Sequence, residues 1–297
     1  MAEALVDDID KERLMLLADV LQPARKTAIV DVGAKRGGQS PHSRLLDEGL
    51  CTVVGFDPQP SAYEVLEKDT RPGERFLPYA IGDGTDAELR VCRADGLTSL
   101  LEPNQDLYAT VGRFDKGGTV LNRIALETHR LDDLAAEVGP MDMLKIDAQG
   151  SELSVFSSGR EMLRNTVVVI TEVAFLPLYK DHPMFDQQFA ELRSQGFELH
   201  KFIKLDAHGF ITPATRGLRL RRHRNQLFDG DAAFIRFPDK AAELGSEALK
   251  HFALLADTAL QSFDIAVVCL ERLVDLGAIT SRDLQRYIGF VPHRIPT

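Results

Sequence analysis

The sequence is short of cysteine, of basic charge and of long apolar runs, and each shortage closes off a class of function. Only Cys51, Cys92 and Cys269 occur in 297 residues, and no two of them have ligand spacing. So sparse a set excludes a disulfide framework and a cysteine-built zinc site, and fits a reducing compartment. Lysine and arginine number 35 against 45 aspartates and glutamates, for a net charge of −10. A chain this acidic lacks the basic surface that grips nucleic acid by its phosphates, so no nucleic-acid partner is expected. The N-terminal MAEALVDDIDKERLMLL has no apolar core of the secretory type. The most apolar late stretch, residues 252–274, is broken by Asp257, Asp264, Glu271 and Arg272, which makes a bilayer crossing costly. The expectation is a cytoplasmic protein with no membrane partner. Internal repeats and low-complexity segments are also missing.

What recurs instead is a short β-branched run, a turn and a helical pattern. Residues 28–32 lead into a glycine turn at 33–38 and a helix over 41–49. Residues 52–56 lead into Asp57, Pro58 and a helix over 61–68, and residues 76–81 end in Gly82, Asp83 and Gly84. A spacing of roughly 25 residues is what right-handed βαβ units need. Between 88 and 130 the rhythm breaks. There, 88–93 and 120–128 alternate like strands around a glycine-rich loop, forming an insertion, and 131–138 reads as helical. The rhythm resumes with a strand at 141–146, a turn at 147–150 and a helix over 151–163. The next strand, 166–170, is apolar throughout, as a strand covered on both faces should be. A helix over 185–195 ends at Gly196, well placed as a C-cap, and 197–203 and 232–237 are the last strands. This order predicts an α/β, Rossmann-like fold with a seven-stranded, mostly parallel sheet whose final pair is antiparallel. It divides the chain into an N-terminal helical segment (1–26), the sheet domain (27–238) and a C-terminal helical extension (239–297). That extension carries one or two long amphipathic helices, acting as a cap on the domain or as the surface of a homo-oligomer.

Three stretches carry chemistry. In DVGAKRGG (31–38), Gly33 permits a tight turn, Gly37 and Gly38 let a ligand approach main chain, and a helix N-terminus offers N–H groups to an anion. That anion is a pyrophosphate in a dinucleotide enzyme and a methionine carboxylate in a methyltransferase; a purely structural turn is the third reading. Asp57, some 20 residues on, suits the two hydroxyls of a ribose, or simply forms a turn before Pro58. Asp83 accepts from an adenine amino group, or is likewise a turn residue. Further along, Lys145, Asp147 and Glu152 crowd the carboxyl end of a central strand, the edge where open α/β sheets bind ligands. Lys145 in an apolar strand needs a partner, and Asp147 or Glu152 can serve. Glu172 closes the next strand and should lie beside Asp147. Two such carboxylates deprotonate or orient a substrate hydroxyl, share a divalent cation, or form a structural pair. Substrate handling is the preferred reading, with no metal. His129 and His182 are the remaining candidate proton acceptors.

Taken in order, the motifs resemble the FkbM family of methyltransferases. They are residues 31–37, Phe56-Asp57-Pro58, Ala80 to Asp83, Thr98-Ser99-Leu100, Leu131 to Leu134, the run LKIDAQGSEL (144–153), and Glu172 with Pro177 to Tyr179. Gly196-Phe197 and Asp231 to Phe234 fit as well, so the likeness spans 27–238, and the LKIDAQGSEL run is its most specific part. The resemblance implies a class I methyltransferase fold and S-adenosylmethionine as cofactor. It usually also implies O-methylation of hydroxyls on sugars, glycans or polyketide-like metabolites, hence a small-molecule or glycan acceptor. Carried over, Asp31, Gly33, Ala34, Lys35, Gly37, Asp57, Pro58, Asp83 and Ser99 surround the cofactor, and Asp147, Glu172 and Lys145 serve the acceptor. The chain departs from the family in having Lys35 where Asn is general and Asp57 where Glu is frequent. Asp57 keeps a bidentate acceptor one methylene shorter. Lys35 sets a cation beside a sulfonium, tolerable where it points away or meets the methionine carboxylate. Two rivals remain. An NAD-dependent oxidoreductase would need the G-x-G-x-x-G spacing, which Lys35 interrupts. A non-catalytic binding or scaffold protein keeping the fold is the other. The basic run Arg216, Arg219, Arg221, Arg222, His223 and Arg224 holds an anionic group of the acceptor, or is a solvated face.

Overall fold

The structure is a computed structural model that describes residues 2–36, 40–215, 218 and 225–291. Ten strands follow in chain order: β1 (Thr27–Val32), β2 (Cys51–Phe56), β3 (Glu74–Leu77), β4 (Ala80–Ile81), β5 (Asp86–Cys92), β6 (Val120–His129), β7 (Met143–Ile146), β8 (Val168–Ala174), β9 (Glu198–His208) and β10 (Gln226–Ile235). Seven build one sheet in the order β3-β2-β1-β7-β8-β10-β9. Neighbours from β3 to β8 run parallel, while β10 is antiparallel to both β8 and β9. The expected class I methyltransferase sheet, with its antiparallel final pair, is therefore present. The reversal of strand order between β1 and β7 opens the crevice in which such sheets bind ligands.

Period-two alternation in the strands decides which helices cover which face. Ile29, Val53, Met143, Ile170 and Ile235 point to one side, where they pack with Leu14 and Leu17 from helix Ala2–Leu21 and Phe252 and Leu255 from helix Ser246–Thr258. Val30, Leu144, Ile146, Val169 and Phe234 point to the other, against Val155, Phe156, Leu163 and Leu192 of the crossover helices Glu152–Ser158, Arg160–Leu163 and Phe185–Ser194. Among the described residues from 238 on there are four helices rather than one or two long ones: Pro238–Glu243, Ser246–Thr258, Phe263–Asp275 and Ser281–Ile288. Residues 251–258 are buried without a break. A helix segment buried on every side has no solvent face to offer and becomes a layer of the core. One ion pair locks this layer: Arg13 Nε donates to Asp257 Oδ2 at 2.7 Å, and Tyr287 Oη donates to the same oxygen at 2.7 Å.

The insertion forms a second sheet, β4-β6-β5. The expected strand 76–81 is split: residues up to Leu77 stay in the main sheet, and Ala80–Ile81 pair with β6 instead. Pro78 lies between the two pieces. It has no N–H for a ladder, so a strand cannot continue through it unbroken.

Candidate active site

The site is built where β1 and β7 end side by side. After Val32 the chain turns at Gly33 (φ 75°), and the amides of Gly33 and Ala34 both donate to Phe56 O, at 2.9 and 3.0 Å. The amide of Asp147 donates to Val32 O at 3.0 Å, so the turn after β7 rests on the turn after β1. A Cβ on Gly33 would stand 2.0 Å from Asp147 O, which admits no side chain at this position. At the end of β2, Asp57 is 7% exposed and takes a hydrogen bond on Oδ1 from Gln59 N at 2.8 Å. Burial lifts its carboxyl above the usual aspartate range, against the pull of that N–H and of Lys35. Asp57 shapes a turn, and it also lines a cavity.

That cavity has a volume of about 560 Å³ and opens along the carboxyl ends of β1, β2 and β7. Gly33, Ala34, Lys35, Asp57, Pro58, Ser99 and Asp147 line it together with Gln149, Asp95 and the apolar Phe56, Leu66, Tyr79, Ile81 and Leu89. Lys35 is exposed at its rim. Seven of the expected site residues thus meet around one volume.

The others lie elsewhere. Gly37 and the arginines and histidine of the basic run fall outside the described residues. Asp83 is exposed and does not line the cavity; its Oδ1 accepts from Thr85 N at 3.0 Å and from Thr85 Oγ1 at 2.6 Å, as a turn aspartate does. Asp31 and Lys145 sit directly opposite one another on β1 and β7, with Nζ 3.0 Å from Asp31 Oδ1. The partner of Lys145 is therefore Asp31, not Asp147 or Glu152, because adjacent strands align them. Burial would lower the Lys145 pKa, yet Asp31 and Asp147 together hold it above its ordinary value, so it stays charged. His182 is buried against the edge of Tyr179 and pushed down to about 4, and His129 packs on the Tyr79 ring; neither lines the cavity.

Glu172 does lie beside Asp147, as its place on β8 predicts, and the link is a residue that motif reading passed over. Gln149 Nε2 donates to Asp147 Oδ1 at 2.7 Å and to Glu172 Oε2 at 2.8 Å. Burial, then repulsion from Asp147 and Glu152, holds the Glu172 carboxyl well above the usual range. Glu152 fastens the turn: its carboxylate accepts from Ala148 N at 2.9 Å and Gly150 N at 3.0 Å, and burial still pushes it up to about 7. Two further acids on β10 were also missed. Asp231 is in register with Glu172, and Asp229 is pushed up to about 6 by burial and by Asp206. Their i, i+2 spacing within β10 was the available signal, since it puts both on one face.

A comparison with protein families matches the methyltransferase FkbM domain to residues 31–199, more than half of the chain. The chain belongs to the FkbM methyltransferase family. Solved structures similar to this FkbM methyltransferase include magnesium protoporphyrin IX methyltransferase (ChlM) of Synechocystis PCC 6803 with bound SAM, at 11% identity over 77% of this chain and 78% of that one, TM-score 0.38. A TehB-like SAM-dependent methyltransferase of Corynebacterium glutamicum is 10% identical over 75% and 86%, TM-score 0.33. An S-adenosylmethionine-dependent methyltransferase of Mesorhizobium loti is 10% identical over 74% and 95%, TM-score 0.35. Likeness at that level carries no argument, and the assignment rests on the domain match. No curated protein matches the chain. Among the described residues of this FkbM methyltransferase, no helix is long and apolar enough to cross a membrane.

Proposed function

We propose that this methyltransferase transfers a methyl group from S-adenosylmethionine to a hydroxyl of a sugar, glycan or secondary metabolite. The observation that carries the reading is the shared cavity: Gly33, Asp57 and Ser99 on its cofactor side and Asp147 on the wall toward Glu172. Its size suits a nucleoside-sized ligand, since such pockets run to roughly 300–1,000 Å³. The residues fit the cofactor. The turn at Gly33 and Ala34 opens onto the cavity, and a buried aspartate stands at the end of β2, where it can take both ribose hydroxyls. When bound, S-adenosylmethionine supplies a methyl group on a positively charged sulfur.

The chain's own part is alignment and proton handling. Methyl transfer to oxygen is an in-line displacement, so holding the hydroxyl in line accounts for most of the acceleration. Asp147, on the cavity wall, faces that hydroxyl, and Glu172 stands behind it through the Gln149 amide, its carboxyl held above the usual range by burial and by Asp147. Lys145 is committed to Asp31 and supports the floor. Lys35 sits at the rim, where it can meet the carboxylate of the methionine end.

Calorimetric titration of the full chain tests this. S-adenosylhomocysteine should bind at micromolar concentration and NAD should not; absence of S-adenosylhomocysteine binding overturns the proposal. For the acceptor class, a panel of hydroxylated sugars and metabolites incubated with methyl-labelled cofactor should yield base-stable ethers. Label appearing only on amines or carboxylates would reject oxygen of a hydroxyl as the target.

A further inference from the structure

We propose that Gln149 is a positioning residue of the acceptor site: its amide holds Asp147 and Glu172 side by side, and Tyr179 fixes which way that amide faces. This rests on the reading of Asp147 and Glu172 as the acceptor-side carboxylates. A primary amide has two N–H bonds, and Gln149 directs one to Asp147 Oδ1 (2.7 Å) and one to Glu172 Oε2 (2.8 Å). Its carbonyl oxygen accepts from Tyr179 Oη at 2.7 Å. Tyr179 is 1% exposed. Rotating the amide by half a turn would set its oxygen against two carboxylates, so the chain Tyr179 to Gln149 to the two acids has one favourable direction.

The backbone is held just as firmly. Ser99 Oγ donates to Gln149 O at 2.6 Å, and Leu101 N donates to Ser99 Oγ at 2.9 Å. Gln149 has φ 51°, a left-handed conformation that side chains other than Asn and Asp seldom take. Strain of this kind persists where the surroundings over-determine it, and such places cluster at active sites. A glutamine kept in this conformation, with every polar atom of its side chain engaged, does more than fill space.

The need for it is electrostatic. Glu172 faces Asp147 and Glu152 from the turn after β7 and Asp229 and Asp231 from β10. Lys145 on β7 and Lys204 on β9 approach Asp231, but they are engaged by Asp31 and Asp206. Neighbouring carboxylates repel unless a donor lies between them. Gln149 supplies that donor at the cost of one oxygen from each acid. Asp147 Oδ2 and Glu172 Oε1 are left for the acceptor.

Carbon-detected NMR titration of the side-chain carboxyl groups in the full-length protein tests the proposal, with the Glu172 signal assigned by its loss in Glu172→Gln. In Gln149→Met, of similar shape but without the donors, the Glu172 midpoint should rise by about one pH unit, the scale of a lost hydrogen bond to a charged group. In Tyr179→Phe it should rise by less, because the amide is loosened and not removed. Should Gln149→Met fail to unfold cooperatively, Tyr179→Phe carries the measurement alone. A Glu172 midpoint unchanged in the folded variants overturns the proposal. S-adenosylhomocysteine binding, titrated alongside, separates this outcome from failure of the methyltransferase reading: a wild type that binds no S-adenosyl compound sinks that reading whatever Glu172 does.

Discussion

Between helices Ala2–Leu21 and Ser246–Thr258, Arg13 meets Asp257 with both side chains 1% exposed, and Tyr287 closes the remaining lone pair. At the edge of β7, β8 and β10, Asp147 and Glu172 share a single glutamine amide, and Asp229 and Asp231 add their repulsion to Glu172. Both places remove charge from water. In the helical layer Arg13 and Asp257 match one another, so the arrangement is a lock. At the sheet edge the acids outnumber the free cations among the described residues, so the arrangement is held against its own repulsion. The contrast separates burial that serves the fold from burial that raises a pKa toward the range useful for chemistry.

Four measurements sharpen or break this comparison. The largest effect belongs to the lock. Arg13→Leu leaves Asp257 buried without its cation and should cost about 3–5 kcal/mol in urea unfolding, whereas replacing both residues with apolar ones should restore most of the loss. A small cost for Arg13→Leu would show the layer to be loosely held. Next comes the cofactor wall: Asp57→Ala should weaken S-adenosylhomocysteine binding roughly 100-fold by calorimetry, the worth of two charge-assisted hydrogen bonds. Smaller, and opposite in sign to the first, is Glu172→Gln. The folded-state pKa of Glu172 lies above its unfolded value, so its contribution to stability is complete at low pH and is lost as pH rises through the raised value. Wild-type stability should therefore fall as pH rises above the usual glutamate range, with Asp229 acting in the same sense near 6. Glu172→Gln should recover about 1–2 kcal/mol at the upper end. A loss of stability there would mean that the edge is as well matched as the lock. The smallest effect is Asp83→Ala, which should leave S-adenosylhomocysteine affinity within about twofold, since that side chain serves only a turn.

The sheet was legible because its strands are apolar runs at the spacing of βαβ units, and the reversed final pair followed from a connection without a helix. The split at Pro78 was legible too, given that proline interrupts a ladder, but the apolar letters on either side masked it. The helices after residue 238 were visible as helices, while their packing was not. Period alone says that a segment is buried, not which face of which sheet buries it. At the site, Gly33, Asp57 and Asp147 could be placed because each sits at a strand end. Asp83 sits at one as well, yet two residues beyond Ile81, which lines the cavity, its side chain turns back onto Thr85. Gln149 was hidden for a different reason. Its role depends on three partners drawn from the turn itself, β8 and the loop holding Tyr179, and no local spacing encodes that meeting.

The pairing of Arg13 with Asp257 joins positions 244 apart in the chain. During synthesis, the helix Ala2–Leu21 has left the ribosome long before its partner exists, and the apolar strand residues that both helices cover lack that partner for the interval. At rates of roughly 5–20 residues per second this lasts on the order of ten seconds or more, during which the nascent chain presents apolar surface to chaperones and to other nascent chains. Closure of this face thus waits for the helix that carries Asp257, and a chain cut short before it covers that side of the sheet only in part.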